Sequence, residues 1–375
     1  MTAADILKKS KRIVVKIGSQ LLVDPERGAV HRRWLETLAD DIANLRKDGK
    51  EVVIVSSGAI AVGRRQLKLP FGKLRLPEQQ AAAATGMVRL AHAYQEVLGA
   101  HDLTVAQVLL TLDDSEDRRR YINARNTLLE LVTLGAVPLI NENDTVATDE
   151  IRFGDNDRLA ARVAAMISAD LLIILSDIDG LYTANPQIDP DAEWVPVVKG
   201  TIPPEIEAMA GVQISGESRG GMITKIQAAR IAMGAGAATM IALGKEAHAL
   251  KRVAEGARAT VFLPDANPRT ARKEWIAGSL KPAGKVIVDP GALKALSSGK
   301  SLLPAGVRGI EGKFSRGEAV AVFDTDGREI ARGLIAYADE DAKRIAGHKT
   351  GEIEEILGYR GRDEMIHRDD LVLIV

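Results

Sequence analysis

Several short runs in this chain are dominated by Val, Ile and Leu at consecutive positions: RIVVKI at 12–17, EVVIVSS from 51, VPLI from 137 and LLIILS from 171. A strand with one face in water alternates apolar with polar residues. These runs keep Val, Ile and Leu on both sides, so both faces must be covered. What lies between them reads as helix. HRRWLETLADDIANLRKDGK places Leu35, Leu38, Ala39, Ile42 and Leu45 on one face and offers Gly49 as a stop. PEQQAAAATGMVRLAHAYQEVLG, RRRYINARNTLLELVTLG, DRLAARVAAMISA and GMITKIQAARIAMGAG are further helices, with LTVAQVLL and ATMIAL as further buried strands. Buried strands separated by helices predict an α/β fold, an open and mainly parallel sheet sandwiched by helices.

Near residue 280 the pattern changes. KPAGKVIV, SLLPAGV, EAVAVFDTDGREIARGLIA and DLVLIV read as short strands, with DTDG as a hairpin turn. At 375 residues the chain has room for two domains. The division expected is 1–275 for the α/β domain and 281–375 for a small, mostly β domain, with GSLKPAGK as the linker at about 275–284. The net charge of −1 gives no bulk attraction to nucleic acid or anionic membrane. The tail is no exception, with fifteen Lys and Arg against sixteen Asp and Glu. The absence of Cys rules out disulfides, thiolate metal sites and Cys nucleophiles, and it fits a reducing compartment. Charges or Gly interrupt every apolar run before it reaches the length of a membrane span, and a cytoplasmic location is expected.

Ligands of an open parallel sheet bind at the carboxyl ends of its strands, where helix N-termini also point. After the first strand stand Lys16, Ile17, Gly18 and Ser19, and after the second Ser56, Ser57, Gly58 and Ala59. NENDTVATDEIRFGDND, 141–157, follows VPLI and crowds Asp, Glu and Asn together with Arg152 as the only cation. Ser176 and Asp177 follow LLIIL, and a Gly-rich turn at 216–221 leads into a helix bearing Thr224 and Lys225. Taken singly these are tight turns, rim charges or a hydrated loop. On one predicted edge they suit phosphoryl transfer, in which backbone N–H groups approach phosphate oxygens and lysines neutralise migrating charge. There is no G-x-x-x-x-G-K-[ST], no G-x-G-x-x-G after the first strand and no metal spacing among the six His.

In these residues the chain resembles the amino-acid kinases. VVKIGS, VSSGAIAVG, INENDTVATDEIRFGDND, SDIDGLYTANP and GGMITKIQAA occur in the family's order over 12 to about 230. LLPAGV, GKFSRGE and HRDD make the tail similar to the PUA domain that many bacterial members carry. The tail and the NEND…GDND pairing favour free L-glutamate over N-acetylglutamate, aspartate, carbamate or a nucleoside monophosphate as acceptor. The resemblance implies transfer of the ATP γ-phosphoryl group to the side-chain carboxylate of L-glutamate. The product is L-glutamyl 5-phosphate, the first step of proline biosynthesis, and proline is the feedback inhibitor expected.

Carried over by motif, Lys16, Asp157 and Lys225 are the catalytic residues, the lysines touching the phosphoryl group and Asp157 holding them. Ser57, Asp144 and Asn156 bind glutamate, with Asp144 set against its ammonium group. Lys16, Gly18, Ser19, Ser176, Asp177 and the stretch Arg219, Gly220, Gly221, Met222, Ile223, Thr224 and Lys225 hold ATP. Mg²⁺ is carried by ATP oxygens and water, with no protein ligand assigned. The resemblance also implies a homo-oligomer, dimer or tetramer, and transient contact with glutamyl-phosphate reductase. Nucleic acid is not expected as the main partner, although PUA domains are known for RNA contacts. Asn185 stands where the family more often has Asp, and Arg219 where it more often has a small residue.

Overall fold

A computed structural model of the protein describes residues 1–374 apart from 25, 71, 148–155, 210–220 and 279–280. It divides into two compact units: residues 1–116 with 123–268, and residues 117–122 with 269–375.

Among its described residues the first unit has ten strands: β1 (Arg12–Ile17), β2 (Glu51–Ser56), β3 (Val105–Leu110), β4 (Val137–Glu142), β5 (Leu171–Ser176), β6 (Leu181–Tyr182), β7 (Trp194–Val195), β8 (Val197–Lys199), β9 (Ala238–Leu243) and β10 (Ala259–Leu263). Eight of them form one sheet in the order β3-β4-β2-β1-β5-β9-β10-β8, while β6 and β7 pair as a separate hairpin. The six strands from β3 to β9 are parallel, and only β9–β10 pairs antiparallel. A mainly parallel sheet covered by helices is what the apolar runs predict. β4 and β5 are buried at every residue. β3 departs from the expectation, being half exposed along its length. It is an edge strand, bonded among the described residues to β4 alone.

Side-chain alternation decides which groups reach which face of the sheet. Ile13, Val15 and Ile17 of β1 and Val52 and Ile54 of β2 pack with Leu35, Leu38 and Ile42 of helix Arg32–Lys47 and with Tyr94 of helix Leu76–Gly99. Val14 and Lys16 therefore face the other way. There lies helix Asn156–Met166, itself packed against helix Met222–Gly234. No helix among the described residues is long and apolar enough to cross a membrane.

The second unit holds β11 (Gly284–Val288), β12 (Val307–Gly312), β13 (Ala319–Phe323), β14 (Glu329–Leu334) and β15 (Leu371–Leu373), in the order β12-β11-β13-β14-β15. Val286, Val288, Val320, Val322, Ile330 and Ile366 belong to its core. DTDG turns the β13–β14 hairpin: Asp324 Oδ1 accepts from the N–H of Asp326 and Arg328, and Gly327 takes φ 79°. SLLPAGV is not a strand. Pro304 cannot donate to a ladder, and Pro304–Gly306 is a 3₁₀ turn ahead of β12. The stretch read as a linker begins as the end of helix Pro268–Gly278, and the unit carries helices Pro290–Ser297 and Asp339–Ile345 that the strand pattern does not announce.

Candidate active site

Lys16 and Lys225 meet on one carboxylate. Lys16 Nζ lies 2.5 Å from Asp157 Oδ1 and Lys225 Nζ 3.3 Å from Asp157 Oδ2. Thr224 Oγ1 donates to Asp157 Oδ2 at 2.9 Å. The cluster is deep, with Asp157 at 0 %, Lys16 at 8 % and Lys225 at 7 % exposure. Asp157 sits in the first turn of helix Asn156–Met166, where the helix dipole favours a negative group. Burial pushes its carboxyl up, but the two ammonium groups and the Thr224 hydroxyl outweigh burial and hold it down at about 2. Among the described residues, two ammonium groups against one carboxylate leave this cluster with a buried net positive charge. Such a charge is costly unless an anion completes it.

One residue back on the same helix, Asn156 reaches β2 and β4. Its Nδ2 shares two protons among three acceptors, Ser56 O at 2.7 Å, Ser57 Oγ at 2.8 Å and Asn141 Oδ1 at 3.0 Å. Asn141 is buried, and its Oδ1 also accepts from Glu142 N at 2.9 Å. Asp144, two residues past the end of β4, is buried as well. Residues 148–155 of the same loop lie outside the described residues.

The nucleotide candidates divide. Gly18 caps the short helix Ser19–Leu22 beside Lys16, and a Cβ added there would lie 3.9 Å from Lys16 Nζ. Ser19 is exposed. Ser176 closes β5, its Oγ donating to Asp177 Oδ1 at 3.1 Å, and Asp177 is exposed. Gly221 is the N-cap of helix Met222–Gly234, on which Met222, Ile223 and Thr224 form the first turn ahead of Lys225. Arg219 and Gly220 lie outside the described residues, so their assignment remains an expectation. A cavity of about 620 Å³ between Leu21, Arg33, Trp34 and Lys245 contains none of the residues assigned from the sequence.

Asn141 and Ser56 stand among the strand-end candidates, but the motif carry-over gives neither of them a role. The only sequence signal for Asn141 is an amide at the end of an apolar strand, which is also common in turns.

An amino acid kinase family model matches residues 11–242, more than half of the chain. The chain belongs to the amino acid kinase family. A PUA domain model matches residues 284–357 of this amino acid kinase. Among its relatives, the glutamate 5-kinase of Paramagnetospirillum magneticum is 60 % identical over 367 residues, 98 % of this chain and 99 % of that protein. The glutamate 5-kinase of Rhodospirillum rubrum is 60 % identical over 360 residues, 96 % of each chain. That of Agrobacterium fabrum is 58 % identical over 367 residues, 98 % of this chain and 94 % of that protein. The fold is similar to that of carbamate kinase from Giardia lamblia bound to AMP-PNP, with a TM-score of 0.51 at 17 % identity over 69 % of this chain and 100 % of that chain. The resemblance drawn from the motifs, kinase domain and PUA domain alike, is thus shown.

Proposed function

We propose that this kinase transfers the γ-phosphoryl group of ATP to the side-chain carboxylate of L-glutamate, giving L-glutamyl 5-phosphate and ADP. The observation that carries the reading is the buried Lys16–Asp157–Lys225 cluster, next to which Asn156 joins Ser57 and Asn141, with Asp144 buried two residues past the end of β4. The near full-length relatives named glutamate 5-kinase support the choice of acceptor.

A glutamate side chain, with pKa of about 4.3, is ionised at neutral pH, so its oxygen can attack without a general base. The carboxylate oxygen bonds to the γ-phosphorus as the bond to the bridging oxygen of ADP breaks. Two anions must be brought together, and the leaving oxygen gains charge. Cations placed beforehand are what the step needs. In this reading Lys16 contacts the moving phosphoryl group, Lys225 stabilises the leaving phosphates, and Asp157 holds both ammonium groups in place. Ser57 and Asn156 orient glutamate, while the buried Asp144 receives its ammonium group. Gly18, Ser19, Ser176, Asp177, Gly221, Met222, Ile223 and Thr224 bound the nucleotide, together with Arg219 and Gly220. ATP enters as its Mg²⁺ complex, the metal held by phosphate oxygens and water.

The product opens proline biosynthesis, with proline as feedback inhibitor in the glutamate pocket. The chain assembles as a dimer or tetramer and passes its labile product to glutamyl-phosphate reductase in a transient contact. Catalysis rests in the first unit, while the PUA domain serves stability, assembly or regulation.

ATP, Mg²⁺, glutamate and hydroxylamine in one reaction test the reading, since hydroxylamine traps an acyl phosphate as a hydroxamate. Glutamyl hydroxamate is the expected product, reduced by millimolar proline. An equal or larger yield with N-acetylglutamate, which lacks the ammonium group that Asp144 would pair, would remove free glutamate as the acceptor.

A further inference from the structure

Tyr94 is the largest fully buried side chain of the first unit, at 0 % exposure on helix Leu76–Gly99, yet it carries a hydroxyl. Its partner among the described residues is Ser56 Oγ, 3.1 Å away at the end of β2. Ser56 Oγ also lies 3.2 Å from the carbonyl oxygen of Ser57. Each hydroxyl has one proton. Only one arrangement uses both: Tyr94 donates to Ser56 Oγ, and Ser56 donates to Ser57 O. Burial pushes the Tyr94 phenol far up, the Ser56 hydrogen bond pulling slightly the other way, so this donor stays protonated throughout the working pH range.

Ser57 is tied at its other polar atoms too. Its N–H donates to Ile17 O at 3.1 Å, and its Oγ accepts from Asn156 Nδ2 at 2.8 Å. Two donors remain uncommitted among the described residues, the Ser57 hydroxyl proton and the N–H of Gly58. In a trans peptide the N–H points opposite to the carbonyl, so a Ser57 carbonyl bonded to the Ser56 hydroxyl turns the Gly58 N–H away from it. Gly58 can hold this turn because its φ is 104° and a Cβ there would come within 2.8 Å of Val23 Cγ2.

We propose that Tyr94 is a positioning residue for the acceptor, acting through Ser56 to fix the Ser57–Gly58 peptide so that the Ser57 hydroxyl and Gly58 N–H both face the acceptor's carboxylate. The inference rests on Ser57 as an acceptor contact. Tyr94 itself touches no substrate, and it reaches the site from the opposite face of the sheet.

The test is steady-state kinetics of the full chain carrying Tyr94→Phe, Ser56→Ala and both together, on whichever carboxylate acceptor the unaltered protein phosphorylates. Failure of glutamate as acceptor is thereby separate from failure of the relay. One lost hydrogen bond predicts a KM for the acceptor raised about five- to tenfold in each single variant, with the KM for MgATP within about twofold of the unaltered protein. Because the two hydroxyls act in series, the double variant should be no worse than Ser56→Ala alone. An unchanged acceptor KM with a lowered melting temperature would reduce Tyr94 to a packing group. Effects that multiply in the double variant, or a KM for MgATP that rises as much as that of the acceptor, would equally overturn the proposal. Should Tyr94→Phe fail to fold, Ser56→Ala decides by itself, since it breaks the same relay without touching the core aromatic.

Discussion

A buried carboxylate with an ammonium group on each oxygen is held by charge rather than by packing. Lys16→Ala or Lys225→Ala leaves Asp157 one counter-charge, so the fold should persist while turnover falls by about two orders of magnitude or more, as for loss of a preorganised charge-stabilising donor. Initial rates alongside a melting curve check both halves. Asp157→Asn is the harsher change, because it strands two ammonium groups in the interior. A loss of about 3–5 kcal/mol is expected, with phosphate or ATP raising the melting temperature more in this variant than in the unaltered chain. The Asp157 carboxyl is held at about 2 against an ordinary 3.8. Its contribution to stability is therefore complete above pH about 4 and disappears as pH falls toward 2. Urea midpoints measured against pH should show that acid limb in the unaltered chain and a shallower one in Asp157→Asn. At this scale the sequence was informative, since Lys16, Asp157 and Lys225 stood out by position in their motifs. Asn141 and Ser56 were candidates by position but received no role, because an amide or hydroxyl at a strand end has the same local appearance whether or not a partner awaits it.

Helix Ala59–Gln66, which leads away from the Ser57–Gly58 turn, lies backbone to backbone on helix Leu76–Gly99. A Cβ added at Gly63 would stand 1.8 Å from Ala82 O, and one at Gly86 1.8 Å from Ala59 O. Carbonyl oxygens of a helix cannot step aside as a side chain can. Gly86→Ala should therefore cost about 1–3 kcal/mol or more by forcing the helices apart. The acceptor KM should rise with it, because the displaced helix starts at the acceptor turn. A melting temperature and KM both unchanged would show that the helices move apart freely. The elements themselves were legible where burial is symmetrical. β1, β2, β4 and β5 are apolar runs because both their faces are covered. β3 carries the same kind of letters but is half exposed, since membership of an edge is a property of the sheet and not of the strand. The short helices of the PUA unit escaped because strands and helices there are too brief to establish a period.

The chain passes between its two units at residues 116–117, 122–123 and 268–269, so the second unit is more than a C-terminal appendage. Residues 117–122 belong to it, and Arg118 Nε donates to Gly317 O at 2.8 Å. A chain ending at 268 would strip this segment of its partners. Trypsin should then cut after Arg118, Arg119 and Arg120 faster than in the full-length protein, as band intensities over a digestion course would show. Equal cutting rates would mean that the segment needs nothing from the tail. For the whole molecule, the sequence by itself determined the layered α/β class, the all-β character of the tail's sheet and the family. These are written in local runs, periods and motifs, and short-range burial fixes them. Only the tertiary structure decided that Lys16 turns to the face of helix Asn156–Met166, that Asn156 joins Ser57 to Asn141, and that Tyr94 reaches Ser57 through Ser56. Strand order and helix placement bring those groups together, and both follow from packing among segments far apart in the chain, which no local pattern encodes.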